Sequence, residues 1–257
     1  MKSIPLIIAA ASAALFTVIP SSANAAAPDA SGKPFNSWAG WGVVASQGVQ
    51  IYSVAARFTV PKTACTAKDA EAGFWVGLDG WTDATVEQAG AIAFCGIRTR
   101  SGYKPEYFVF YEMFPKFPVL KHHVSAGDVI VASVSYNSSS GKYFLEVDDK
   151  THPGDSFSAS ASCPSGHTCR RNSAEVIAED PGSGGPAKHH FLPNFGTVHF
   201  SQVEVISRSG AIGSLKGNSL WSAKESIMEY PGKTVMARPS RRTSGYTAFN
   251  VTYHSKG

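Results

Sequence analysis

Two polar side chains interrupt stretches that otherwise read as buried strand. Gln88 sits in Thr85-Val86-Glu87-Gln88-Ala89-Gly90-Ala91-Ile92-Ala93-Phe94-Cys95, and Glu175 in Asn172-Ser173-Ala174-Glu175-Val176-Ile177-Ala178-Glu179-Asp180. A polar group taken out of water needs a partner or a chemical task, so this amide and this carboxylate are the first candidates for a site. On a strand, Glu175, Ile177 and Glu179 share one face, and four residues at about 3.3 Å each hold the two acids roughly 13 Å apart. They cannot act as a close carboxylate pair. A glycosidase needs a second carboxylate within about 5 to 10 Å, which only another strand, such as the one carrying Glu106 and Glu112, could bring.

Other familiar chemistries lack their residues. There is no Gly-x-Ser-x-Gly, no His-Glu-x-x-His, no phosphate-cradling loop and no Asp-Thr-Gly or Asp-Ser-Gly. His122-His123 and His189-His190 are the histidine clusters. Adjacent strand residues point to opposite faces, so each doublet offers at most one ligand to any one site; no metal and no other cofactor is expected. The four cysteines, Cys65, Cys95, Cys163 and Cys169, lack zinc-ligand spacing. In an exported chain they imply two disulfides, with three pairings formally open. Cys163-Pro-Ser-Gly-His-Thr-Cys169 reads as a locally closed loop, which leaves Cys65 with Cys95.

The elements that must position Gln88 and Glu175 are strands. Hydrophobic residues make up 43% of the 257 and charged ones only 16%, a mix that suits many short strands better than helices. Met1-Lys2, the apolar run Ile4 to Ile19 and Ala23-Asn24-Ala25 form a basic, an apolar and a small-x-small region, so 1–25 is read as a cleaved export signal and the mature protein as secreted, with no membrane association after cleavage. Residues 26–35 are a short linker. From 36 to 257 strand signals recur: Val49 to Val60, Ala72 to Leu78, Thr85 to Phe94, Glu106 to Phe114, Asp128 to Tyr136, Lys142 to Val147, Ser156 to Ser162, Ala174 to Glu179, Gly196 to Ser207, Ser226 to Tyr230 and Thr247 to His254. No stretch keeps a helical period for three turns. About a dozen strands without βα alternation predict one all-β domain, an antiparallel two-sheet sandwich of the concanavalin or lectin-like kind. Runs apolar on both faces, such as Phe108 to Phe110, suit stacked sheets or an aromatic groove. The net charge of +4 is scattered apart from Arg170-Arg171 and Arg238 to Arg242, which gives no nucleic-acid surface. A monomer is expected. Asn137 and Asn250 lie in Asn-x-Ser/Thr sequons.

Six motifs follow in order along the chain, Asn36-x-Trp38-Ala39-Gly40, Trp75-Val76-Gly77-Leu78-Asp79-Gly80, Gln88-Ala89-Gly90 with Phe94-Cys95, Tyr111-Glu112-x-Phe114-Pro115, Asn172-Ser173-Ala174-Glu175 with Glu179-Asp180, and Phe195-Gly196-Thr197-Val198-x-Phe200. In that order and spacing it resembles the glutamic peptidases, or eqolisins, peptidase family G1. The resemblance implies a β-sandwich endopeptidase active in acid on protein or peptide substrates, with a Gln and a Glu as its catalytic pair and no metal. By motif these are Gln88 and Glu175. Trp75 and Asp79 then resemble supporting residues beside the pair, and Tyr111 with Glu112 groove residues.

The chain departs from that pattern in three ways. Val176 stands where fungal members commonly carry Trp, the segment 26–35 leaves little room for an inhibitory prosegment, and the pI near 8.8 is unlike that of strongly acidic members. The competing expectations are a non-catalytic glycan-binding sandwich, since an aromatic groove binds sugars as readily as peptides, and a glycosidase.

Overall fold

The computed structural model describes residues 37–181, 192–230 and 234–256. The expected signal at 1–25, the linker at 26–35 and the His189-His190 doublet lie outside the described residues. The first strands are β1 (Trp38–Ala45), β2 (Ile51–Thr59), β3 (Glu71–Asp79), β4 (Val86–Thr99), β5 (Gly102–Phe114) and β6 (Val119–Val124). Then come β7 (Val129–Asn137), β8 (Lys142–Asp149), a 3-10 turn at Pro153–Asp155, β9 (Phe157–Ala161) and β10 (Ser173–Glu179). The C-terminal part holds β11 (Thr197–Ser207), β12 (Ile212–Gly213), β13 (Trp221–Ser226), β14 (Met228–Tyr230), β15 (Thr234–Pro239) and β16 (Phe249–Tyr253). No α-helix occurs among the described residues.

These strands form two antiparallel sheets. The first runs β13-β1-β10-β3-β4-β5-β6, and the second β14-β15-β16-β11-β2-β7-β8-β9, with β12 beside β11. This is the expected all-β sandwich. Turn chemistry sets the hairpins where sequence placed them: between β7 and β8, Asn137 Oδ1 accepts the N–H groups of Ser139 and Ser140, and Gly141 supplies the positive φ of 66° that closes the turn. Alternation then builds the main core. Phe74, Val76 and Leu78 of β3, the alanines 89, 91 and 93 of β4, and Val54 and Phe58 of β2 all face the space between the sheets.

An antiparallel sheet normally wets its second face, but β3 and β10 are buried at every position. Their outer face carries a separate apolar cluster of Trp38, Trp75, Trp81, Val86, Phe110, Phe114 and Ile177. The sheet is therefore covered on one side by the second sheet and on the other by its own aromatics, which is why Phe108 to Phe110 shows no clean alternation. Strands β1, β6, β12, β13 and β15 were not expected. In β6 all but Val124 are exposed, so an edge strand without a buried face leaves no period to read.

The disulfides pair Cys65 with Cys95 and Cys163 with Cys169, as the loop reading expected. The first ties the connection before β3 to β4, across a separation of 30 residues; the second closes six residues just before β10. Loop-closure entropy makes the longer one the stronger constraint. Replacing Cys65 and Cys95 with Ser lowers stability by about 3 to 4 kcal/mol, and replacing Cys163 and Cys169 by about 2 kcal/mol. Denaturant midpoints of the two double variants check the order.

Candidate active site

Register brings residues from five strands into one row across the first sheet. Gly42 of β1 lies opposite Glu175 of β10, Glu175 opposite Gly77 of β3, Gly77 opposite Gln88 of β4, and Gln88 opposite Glu112 of β5. All point to the outer, aromatic face, away from the main core. Two strand spacings separate the backbones of Glu175 and Gln88, roughly 10 Å, and between them Gly77 contributes no side chain. A methyl group there would meet the Trp75 ring at 2.9 Å.

The site's polar groups divide into satisfied and unsatisfied. Glu179 is satisfied: its two oxygens accept the indole N–H of Trp38 at 2.9 Å and of Trp75 at 2.8 Å. The two indoles meet edge to face, 4.9 Å between centroids. Trp75 can lie so close to β4 because Gly90 is its cross-strand partner; a Cβ at Gly90 would sit 2.7 Å from Trp75 Cα and 2.1 Å from the Phe74 carbonyl. Gln88 donates from Nε2 to Glu112 Oε2 at 2.6 Å, while its own Oε1 is enclosed and without a hydrogen-bond partner. Glu175 is fully buried and neither of its oxygens has a partner.

Burial sets the acidity of these groups. It pushes Glu175 well above the ordinary carboxylate range, with the charges of Asp79 and Asp83 adding to the shift. Glu112 is raised by burial and then by the Glu179 charge, against the Gln88 hydrogen bond. Glu179 itself is raised to about 7 by burial, which outweighs its two indole donors. Glu71, at the same end of the groove, rises to about 7 through burial and the neighbouring Asp180, Asp69 and Glu179.

Asp79 ends β3 with a positive φ of 68°. Its Oδ1 accepts the N–H of Asn172 at 2.8 Å, which fixes the start of β10 two residues before Ala174. Burial and Asp83 raise it to about 7. Behind it, on the core side of β4, Glu87 is wholly buried, and burial and then the Asp79 charge raise it well above the ordinary carboxylate range.

Of the residues that sequence marked, the structure brings Gln88, Glu175, Trp75 and Glu112 to one face and Asp79 to its end. Tyr111 is the exception. It neighbours Glu112 on β5, so the two-residue period turns it to the opposite side, where it packs on the main core 6.0 Å from the Phe157 ring. It lines no groove shared with Glu112. Sequence reasoning missed the partnership of Trp38 with Glu179, Trp81 over the groove, and Glu87. The signal for Glu87 was available, a second ionisable residue beside Gln88 in an apolar strand; nothing local announces that two indoles 37 residues apart meet one acid.

The Peptidase A4 family model matches residues 36–238. No curated protein matches the chain by sequence. Among solved structures, it is similar to scytalido-glutamic peptidase in complex with a peptide-based transition state analogue, with a TM-score of 0.67 at 24% identity over 85% of this chain and 98% of that one. It is also similar to SCP-B, a member of the eqolisin family of peptidases in complex with the tripeptide Ala-Ile-His, with a TM-score of 0.66 at 24% identity over the same shares. These likenesses carry the fold.

The raised acids make stability depend on pH. Asp79, Glu179 and Glu71 titrate near 7 when folded, against 3.8 to 4.5 for the free groups. Between those values the folded state binds more protons than the unfolded one, so stability falls as pH rises, each group removing up to about 1.4 kcal/mol per pH unit. The contribution is complete below about pH 4 and lost once pH passes 7. Thermal melts from pH 4 to 8 show a falling midpoint; a midpoint higher at pH 8 than at pH 5 contradicts the assignment.

Proposed function

Since the chain belongs to the Peptidase A4 family and is a glutamic endopeptidase, we propose that Glu175 activates the attacking water and that Gln88 holds the oxyanion. What supports the reading is the row itself: an enclosed carboxylate with both oxygens unpartnered and an amide with a free oxygen, two strands apart, with a glycine between them. Buried polar atoms are normally satisfied; groups left open in this way are available to a reactant.

Water bound between Glu175 and Gln88 Oε1 adds to the scissile carbonyl as Glu175 takes its proton. The carbonyl oxygen becomes an oxyanion and accepts a hydrogen bond from Gln88. An amide has two N–H groups, so one serves Glu112 and the second is left for this oxygen. Glu175 then returns the proton to the departing amine as the C–N bond breaks. Glu112 fixes the amide's rotamer, Trp75 floors the gap at Gly77, and Asp79 anchors the strand start that carries Glu175.

Only ionised Glu175 accepts a proton, so turnover climbs with pH as it ionises, while the folded state weakens toward pH 7. We read the working range as mildly acidic solution, where the fold keeps the stability that its raised acids contribute. Export as a secreted enzyme is supported by the two disulfides. A glycosidase reading fits poorly: Glu175 and Glu112 lie three strand spacings apart, about 14 Å between backbones, whereas glycoside hydrolysis uses carboxyl groups about 5 to 10 Å apart.

Cleavage of a denatured protein at mildly acidic pH tests the proposal. Glu175→Gln keeps the side chain's shape but removes its basicity, and abolishes turnover without unfolding the chain. Gln88→Ala lowers kcat by about 10² to 10³ with little change in KM, because the charge it stabilises exists in the transition state. Near-normal kcat in Glu175→Gln overturns the roles, and a parent chain that cleaves nothing returns the groove to the glycan-binding alternative.

A further inference from the structure

Apart from the groove, at the end of the second sheet where β7 begins and β8 ends, Asp128, Asp149 and His152 converge. Each offers one ligand atom, and these atoms all lie within 4.8 Å of one another. Asp128 precedes β7, Asp149 is the last residue of β8, and His152 caps the 3-10 turn at Pro153–Asp155. Both aspartates are buried, whereas the His152 side chain is 58% exposed.

Each aspartate is fixed by one oxygen, and the other oxygen faces His152 in Asp128 and meets no donor in Asp149. Asp149 Oδ1 accepts the N–H groups of Thr151 and His152, both at 2.8 Å. Its Oδ2 is enclosed and has no hydrogen-bond partner. Asp128 Oδ2 accepts the Ser125 N–H at 2.6 Å, and its Oδ1 lies 3.1 Å from His152 Nδ1. An acidic cluster merely solvated at a surface does not hold a fully buried carboxylate with an unmatched oxygen, because such an oxygen costs about 1 to 3 kcal/mol when no donor meets it.

We infer that Asp128, Asp149 and His152 form a binding site for one divalent transition cation of the zinc type, bound through Asp128 Oδ1, Asp149 Oδ2 and His152 Nδ1. A contact of 3.1 Å between carboxylate oxygen and imidazole nitrogen is close to the edge of a tetrahedron with metal–ligand bonds of about 2.0 to 2.1 Å, and small turns of the side chains draw the group, now within 4.8 Å, onto the ion. An imidazole with two carboxylates favours zinc over calcium or magnesium, which prefer all-oxygen sets. Three protein ligands leave one position for water. The cation joins the turn before β7 to the turn after β8, and stiffens a rim of the second sheet that takes no part in hydrolysis.

Titration calorimetry and thermal melts of the intact folded chain with zinc chloride at pH 6.5 test this. The wild type takes up one zinc ion per chain with a saturable rise in Tm. His152→Ala, at an exposed position, loses both. Asp149→Asn keeps the Oδ1 acceptor for the two amides and weakens uptake at least about tenfold. His123→Ala, on β6, keeps uptake unchanged, and equimolar calcium does not compete. No uptake by the wild type, uptake that survives His152→Ala, or uptake lost in His123→Ala overturns the inference and leaves an ion pair between Asp128 and His152; should Asp149→Asn fail to fold, His152→Ala decides alone.

Discussion

The indole N–H groups of Trp38 and Trp75 meet the two oxygens of Glu179, and the outer face of the first sheet depends on this meeting. It ties side chains of three strands, β1, β10 and β3, that are neighbours in the sheet but not consecutive in the chain. Trp75 is held in the one position that its neighbours permit, against Gly90 on one side and above the bare backbone of Gly77 on the other. Released from Glu179, the ring could swing over the gap between Glu175 and Gln88. A buried acid with two matched donors is thus a spacer that keeps the row open.

The same strand presents a second acid four residues away, on the same face, with the opposite provision. Glu179 has an indole donor within 2.9 Å for each oxygen, whereas Glu175 has no donor at hydrogen-bond distance and only the Ser173 hydroxyl works against the rise in its pKa. Two carboxyl groups in one setting thus differ in their hydrogen bonds, the kind of difference by which a protein separates a structural acid from a reactive one, in keeping with the role proposed for Glu175. Leaving Glu175 without a close donor is costly in a buried place. Burial raises Glu87, Glu112, Asp79 and Glu71 as well, so the architecture of the site and the acidity of its medium are linked.

Much of this was legible in the chain. Period-two alternation and turn residues gave the sandwich, and the out-of-place polarity of Gln88 and Glu175 marked them before any strand was placed. What could not be read is what depends on register. That Gly77 falls between the two, or that Glu112 lands beside Gln88, follows from pairings across 24 to 98 positions that no local pattern encodes. Tyr111 shows the reverse error: a motif naming two neighbours cannot say that a strand sends them to opposite faces. Asp128 and Asp149 are likewise ordinary strand-end aspartates until the β7–β8 pairing sets them together.

The position of β10 bears on time as well as space. It is inserted between β1 and β3, although Glu179 lies 141 residues from Trp38 and 104 from Trp75. Contacts that close loops of this length form late, because their entropy must be lost before any pairing rewards it. Until β10 enters, the sheet has β1 and β3 unjoined and Glu175 outside the row. A chain still being made therefore has the amide but not the carboxylate in place, and under the proposed roles of Gln88 and Glu175 a peptidase assembled in this order has no complete cutting site while its own strands are still loose enough to be cut.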